Sequence, residues 1–400
     1  MSFSIPRSNW PQCVLSLLPA TLFFPVGIVY VGVLIFLLAF LLSADFKEKW
    51  SMVRRSPLFF PVLGLSLVST VAALFLERPA GAFWSGYAHY QTYLFLLIFI
   101  SVGAGQWQRR AVNLFLSGAL VSATLFYLNS FGMLPAAHAF HSYTQYLGNK
   151  SILLGILLGI AGPWMLYELI AETDRRWFWL RIAAFLYVAV ALLFFAKTRT
   201  GNLIFFLLCL MIAMKYVTLS RRNILGVGVM VLVLAVTWQY ATDLRARVIN
   251  TVSDVNAFVQ GKQISDEGIR LEIYETTAKI VAEKPLMGHG IATWLSRFQA
   301  RVQGPTLEGQ TTPHNDYLLY ATEIGLIGLA ALLWIWLTQL QTAWRIGGDR
   351  GMWLGMLGVA MMVGGMFNAI LRDALFGMPF MILLAIPLAG VTRPECAARD

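Results

Sequence analysis

Apolar runs of about 18 residues or more recur along the whole chain, long enough to cross a hydrocarbon layer as helices. The runs read as spans are 12–23, 26–43, 57–76, 90–104, 111–130, 151–170, 179–196, 202–217, 223–241, 315–340, 352–371 and 374–391. Pro19 and Pro25 break the first two, so a tight hairpin and a single kinked helix both fit, giving twelve spans or eleven. Composition agrees: 58% of the residues are hydrophobic and 12% charged, about half the charged share of a soluble domain. The first apolar run continues past any signal-peptide cleavage site.

Orientation follows from the loops. Lys47, Lys49, Arg54 and Arg55 follow the second run, Arg109 and Arg110 the fourth, and Arg175, Arg176 and Arg181 the sixth. Lys215, Arg221 and Arg222 follow the eighth run, and Arg345 and Arg350 the tenth. Every second loop is basic, which assigns those loops and both termini to the cytoplasm. A bilayer protein therefore accounts for the net charge of +10, and nucleic acid is not called for. The other loops face the periplasm of a two-membrane bacterium. They include Ala80 to Tyr90, Phe131 to Lys150, Lys197 to Gly201 and a long segment, Ala241 to Thr312. The expected fold is an all-α polytopic inner-membrane protein of about twelve transmembrane helices with one large helical periplasmic loop. Residues 1–241 supply nine spans, 242–312 the loop and 313–400 the last three.

Within the loop, Ser265-Asp266-Glu267 reads as a helix start, with acidic residues on the positive end of the dipole. That helix is expected to run to about Glu283 and stop before Pro285, with a second short helix around Trp294 to Val302. Cys13, Cys209 and Cys396 are too far apart for a metal knuckle, and the first two lie in apolar runs, against a disulfide framework.

Two features stand out on this topology. All five histidines, His89, His138, His141, His289 and His314, fall on the periplasmic side. The short loop Lys197-Thr198-Arg199-Thr200-Gly201 is cationic on the side that insertion keeps poor in Lys and Arg. Arg199 suits an anion site, because a guanidinium fork matches phosphate oxygens; an arginine snorkelling to headgroups is the bland alternative. Arg270, early in the loop helix, is a cation that opposes the dipole and so is not placed there for helix stability; an ordinary solvated arginine is its alternative.

In Thr312-Pro313-His314-Asn315-Asp316, Thr312 reads as N-cap and Pro313 as the first helical residue, so that His314 and Asn315 start the tenth span. The positive helix end suits an anionic ligand and favours a neutral His314 able to take a proton; a plain polar cap is the alternative. On a continuous helix Gly325 and Gly328 share the face of His314, while Glu323 points the other way and needs a buried partner. No Asp-x-Asp pair, phosphate loop or His/Cys cluster at metal-ligand spacing occurs, so neither a metal nor a cofactor is expected.

The pattern from His314 to Gly328 (His-Asn-x-x-Leu-x-x-x-x-Glu-x-Gly-x-x-Gly) resembles the hallmark of the bacterial O-antigen ligase and polymerase superfamily. Pro285-Leu286-Met287-Gly288-His289-Gly290 and an arginine after the seventh span are also similar to that family. Lys-Thr-Arg-Thr stands where the family commonly has Ser-x-Ser-Arg, which leaves the hydroxyl contribution open. The resemblance implies a C-type glycosyltransferase-like fold and transfer of a glycan from undecaprenyl pyrophosphate to an acceptor hydroxyl. It implies that Arg199 and Arg270 bind the pyrophosphate and that His314 is catalytic, with Lys197, Thr198, His289, Asn315 and Glu323 in support. Chemistry is consistent: a sugar diphosphate needs positive charge at its leaving group, and the acceptor needs a base, without a metal. Direct displacement inverts the anomeric centre.

The favoured reading is O-antigen ligase, joining undecaprenyl-pyrophosphate-linked O-antigen to lipid A-core oligosaccharide at the periplasmic face in lipopolysaccharide biosynthesis. The polymerase and the protein O-oligosaccharyltransferase branches are the near alternatives. A lipid-glycan transporter is the alternative of another class; polar residues gathered at one face and the lack of half-repeats speak for an enzyme.

Overall fold

The computed structural model describes residues 6–145, 149–216, 228, 266–371 and 374–393. Among these residues the chain is helical, with no strand. In order, the helices are α1 (Trp10–Thr21), α2 (Val26–Leu42), α3 (Phe46–Arg55), α4 (Phe59–Phe75), α5 (Phe83–Tyr90), α6 (Thr92–Ile100) and α7 (Trp107–Ser130). The one-turn α8 (His141–Thr144) precedes α9 (Asn149–Ala171), α10 (Arg175–Val190) and α11 (Arg199–Lys215). After the segment outside the description come α12 (Asp266–Glu283), α13 (Trp294–Gln299), α14 (Pro305–Glu308), α15 (Asp316–Ile346), α16 (Gly348–Phe367) and α17 (Ala374–Leu388).

Five stretches are long and apolar enough to cross a membrane: Trp107–Ser130, Lys150–Ala171, Arg175–Phe195, Asp316–Ile346 and Gly348–Phe367. The pair α2 and α3, bent by 116°, makes a sixth if it is one broken span. The protein is thus a multi-pass helical membrane protein. The expected twelve regular spans give way to shorter pieces. The run 90–104 yields the nine-residue α6, separated from α5 by Gln91 alone. The expected ninth span (223–241) apart from Gly228, the helix start at Ser265 and Cys396 lie outside the described residues. The first apolar stretch forms a hairpin: a Cβ on Gly32 of α2 would meet Leu18 of α1 at 2.6 Å, and the two residues are equidistant from Pro25. Within the loop, the helices ending at Glu283 and starting at Trp294 take the expected places.

Glycine spacing sets the packing that positions the site. Gly155, Gly159 and Gly162 recur on one face of α9, and α11 lies directly against them. A Cβ on Gly159 would meet the Gly201 carbonyl oxygen at 2.6 Å, one on Gly162 the Phe205 ring at 2.9 Å, and one on Gly155 would overlap the Thr198 side chain. Between apolar helices in lipid, close backbone approach of this kind is a main source of attraction. Gly351 and Gly358 of α16 meet α15 similarly, at the Ala343 carbonyl and at Leu340 and Gln339.

The helix α15 is two helices in one. At Gly325 the backbone leaves the helical region (φ 71°, ψ −176°), a conformation essentially open only to glycine. A break leaves carbonyl and N–H groups without intrahelical partners, and the loop Pro285–Gly290 supplies them. His289 N–H donates to the Thr322 carbonyl and Gly290 N–H to the Glu323 carbonyl, both at 2.9 Å. In return Leu326 N–H donates to Pro285 at 2.8 Å and Ile327 N–H to Leu286 at 3.4 Å. A side chain on Gly288 would meet Gly325 N at 2.6 Å, and one on Gly325 would overlap the Leu286 carbonyl. The two glycine motifs are therefore halves of one joint. The break also ends the wheel on which Gly325 and Gly328 were placed on the face of His314.

Candidate active site

Thr198 is the N-cap of α11; its Oγ1 accepts the Gly201 N–H at 3.0 Å. Arg199 is therefore the first helical residue, and it lines the cleft described below. The chain reaches this cap through a π-helical turn (Ala191–Phe195) and Lys197, whose φ is +51°. Asn368, just past α16, donates from Nδ2 to Thr200 Oγ1 at 3.0 Å and fixes the far side of the cap.

Across from it, Asn315 and not Thr312 caps α15, accepting the Leu318 N–H at 3.0 Å. Pro313 and His314 precede the helix. The reason is local: Thr312 Oγ1 accepts the His314 N–H at 3.2 Å, turning the chain before the helix begins, and His314 takes a left-handed φ of +50°. The helix end is not a bare positive pole either. Asp316, fully buried in its first turn, accepts the Leu371 N–H at 3.2–3.3 Å. Four non-glycine residues among those described have positive φ, and two of them, Lys197 and His314, line one cleft. Strain of ~1–3 kcal/mol per residue gathers in this way where side-chain direction matters more than stability.

The helix α12 closes the cleft. Arg270 is half-buried in its second turn, and Tyr274 lies one turn further along the same face. The Tyr274 hydroxyl is shared between the His314 carbonyl at 3.2 Å and the Met366 carbonyl at 3.1 Å. Asn315 Nδ2 also donates to Met366 O at 3.1 Å, so α12, α15 and α16 are tied at one point. Burial raises the Tyr274 hydroxyl above the usual phenol range, while neighbouring Arg270 and a hydrogen bond with Asn315 pull it back. The His314 Nε2 is 3.2 Å from Gln310 Oε1.

Together these elements enclose a cleft of about 430 Å³. It brings together Lys197, Thr198, Arg199, Arg270 and His314 from three separate parts of the chain, with Asn315 behind His314. No Asp or Glu lines it among the described residues. Sequence reasoning missed Gln310, Tyr274, Asn368 and Ser151. Only the four-residue spacing of Gln310 before His314, and the glycine stripe beneath Ser151, hinted at them.

Two of the expected supporting residues lie elsewhere. His289 is buried in the joint with Nε2 2.9 Å from the Ile280 carbonyl, where its backbone N–H helps to bridge the break. Glu323 is buried on the other side of α15 and accepts the Tyr90 hydroxyl at 2.8 Å, which supplies the partner its burial requires. It faces a small cavity that also contains His89. No group of three or more His, Cys, Asp or Glu at metal-binding spacing occurs among the described residues.

Residues 182–333 match the family model described as O-Antigen ligase. No curated protein matches the chain. The matched segment runs from α10 through the joint in α15 and contains Lys197, Thr198, Arg199, Arg270 and His314. Residues 182–333 thus resemble an O-antigen ligase domain, which relates this part of the chain to the O-antigen ligase and polymerase superfamily.

Proposed function

We propose that this protein is an O-antigen ligase. In this reading it transfers a glycan from undecaprenyl pyrophosphate to a hydroxyl of the lipid A-core oligosaccharide, at the periplasmic face of the bacterial inner membrane. The observation that carries the reading is the cleft itself: two arginines and a lysine opposite one histidine, with no acidic lining residue among those described. Such a site favours a diphosphate, whose oxygens match guanidinium forks, and it disfavours a divalent cation. Arg199 and Arg270 neutralise the charge that gathers on the leaving diphosphate, so no metal ion is needed.

His314 takes the proton of the acceptor hydroxyl as its oxygen attacks the anomeric carbon from the face opposite the diphosphate. The new C–O bond forms as the bond to the diphosphate oxygen breaks. The electron pair leaves with undecaprenyl pyrophosphate, the proton stays on the imidazole, and the anomeric configuration inverts. With the Gln310 carbonyl accepting from Nε2–H, the lone pair lies on Nδ1, which is then the basic atom. A strained φ at His314, held by Thr312 and Tyr274, sets the direction of that ring.

The test is reconstitution. Protein in vesicles receives lipid-linked O-antigen with either lipid A-core or a second lipid-linked repeat as acceptor. Transfer to lipid A-core, unaffected by EDTA, is the expected outcome. Chain growth on the second repeat without core transfer would make the protein a polymerase, and activity lost in EDTA and restored by Mg²⁺ would overturn the metal-free mechanism.

A further inference from the structure

At the end of the bundle opposite the cleft, α7, α9, α10, α16 and α17 line a second cavity of about 470 Å³. The two cavities share helices: Ser151 and Asn368 line the first, Glu168 and Asp349 the second. At helical rise they lie roughly 26 Å apart along α9 and 28 Å along α16. That separation is close to the ~30 Å thickness of a hydrocarbon layer. The second cavity is at the end that carries the basic loops. Trp177, Trp179 and Trp344, all exposed, stand at the same end, as aromatic residues do at a membrane interface.

Its charges are present in both signs, and among the described residues no lining arginine forms an ion pair with a lining carboxylate. Arg109 is exposed and makes no hydrogen bond or ion pair among the described residues. Arg350 donates to the backbone carbonyls of Pro387 at 2.7 Å and Ala389 at 2.6 Å, not to a carboxylate. The carboxylates are likewise held by neutral donors: Glu168 by Trp164 Nε1 at 3.1 Å, and Asp349 by the Tyr167 hydroxyl at 2.8 Å. Arg181 alone of the lining arginines is bridged to an acid, Glu172, at 3.2 Å. Arg109 and Arg181 act on Glu168 through their charge but make no ion-pair contact with it, so guanidinium groups and carboxylates that share this cavity leave room for a ligand that carries both charges. Trp164 and Trp353 also line the cavity.

We propose that this cavity binds the headgroup of a zwitterionic aminophospholipid, with its phosphate on Arg109 and Arg350 and its ammonium on Glu168 and Asp349. A lipid fits better than a soluble zwitterion because the cavity opens at the interfacial level, beside exposed tryptophans. Basic pockets between transmembrane helices on this side of a membrane commonly hold phospholipid headgroups. The acids here select an ammonium headgroup over an anionic one. A lipid so placed would wedge α7, α10 and α16 at the end remote from the chemistry.

The experiment uses the full-length protein in nanodiscs of equal phosphatidylethanolamine and phosphatidylglycerol, released and weighed by native mass spectrometry. One co-retained phosphatidylethanolamine is expected, enriched at least about fivefold over phosphatidylglycerol, the scale of one good charge contact. Arg109→Ala should abolish the enrichment. Arg110→Ala, at an exposed neighbour outside the cavity, should keep it. Glu168→Gln should shift retention towards phosphatidylglycerol. Preference for phosphatidylglycerol in the unaltered protein, or equal loss in the Arg109 and Arg110 variants, would overturn the proposal. So would displacement of the lipid by millimolar inorganic phosphate, which would make the cavity a phosphate site.

Discussion

Two readings of His314, general base and structural residue, can be separated by substitution. It sits before the cap of α15, so it is not needed for the helix end, which Asn315 closes. His314→Asn should therefore insert and fold normally, bind the lipid-linked donor with unchanged affinity, and lose transfer by ~10²–10⁴-fold, the usual worth of a general base. Substantial transfer by that variant, measured beside donor binding in the same preparation, would reduce the residue to a structural one. Arg199 and Arg270 call for a different comparison. Alanine at either should remove most transfer, and lysine should restore little of it, because a point charge cannot grip two diphosphate oxygens. Near wild-type rates for both lysine variants would argue against specific diphosphate binding. The residue types here were readable in advance, as was their gathering on one side. The left-handed backbone at Lys197 and His314, which aims them, was not, since neither side chain favours that conformation.

At the scale of elements, the joint between α15 and the Pro285–Gly290 loop decides how firmly His314 is held. Gly325→Ala should cost at least ~3 kcal/mol, because it combines a glycine-only conformation with overlap on the Leu286 carbonyl. The expected sign is a lower thermal midpoint, with transfer falling as the joint loosens; an unshifted midpoint would mean that the break is not maintained. Thr198→Ala removes the cap of α11 and should cost about 1 kcal/mol while lowering transfer, since Arg199 is the residue it sets in place. Retained transfer at reduced stability would detach the cap from the chemistry. The glycines of both motifs were visible in the sequence, but a helical wheel drawn through Gly325 gave them the wrong purpose. Periodicity assumes a continuous helix, and only contact with the other strand of the joint shows where continuity ends.

For the molecule as a whole, the alternating basic loops predict that the Lys197–Gly201 turn and the α12–α14 region face the periplasm. A single cysteine at exposed Gln299, in a background without Cys13, Cys209 and Cys396, should react with an impermeant maleimide in intact spheroplasts. Labelling only after lysis would invert the orientation and with it the side of the reaction. Hydropathy and loop charge established from the sequence that the chain is a helical membrane protein, because the cost of burying backbone and charge in lipid is set by composition alone. Motif chemistry singled out Arg199, Arg270 and His314 as candidates, since few side chains can hold a diphosphate or take a proton. What tertiary structure decided is their meeting in one cleft. That meeting depends on a glycine face joining α9 to α11, on a break at Gly325 repaired by a distant loop, and on Tyr274 tying α12 to two helix ends. Each of these is a contact between residues far apart in the chain, where local propensity carries no information.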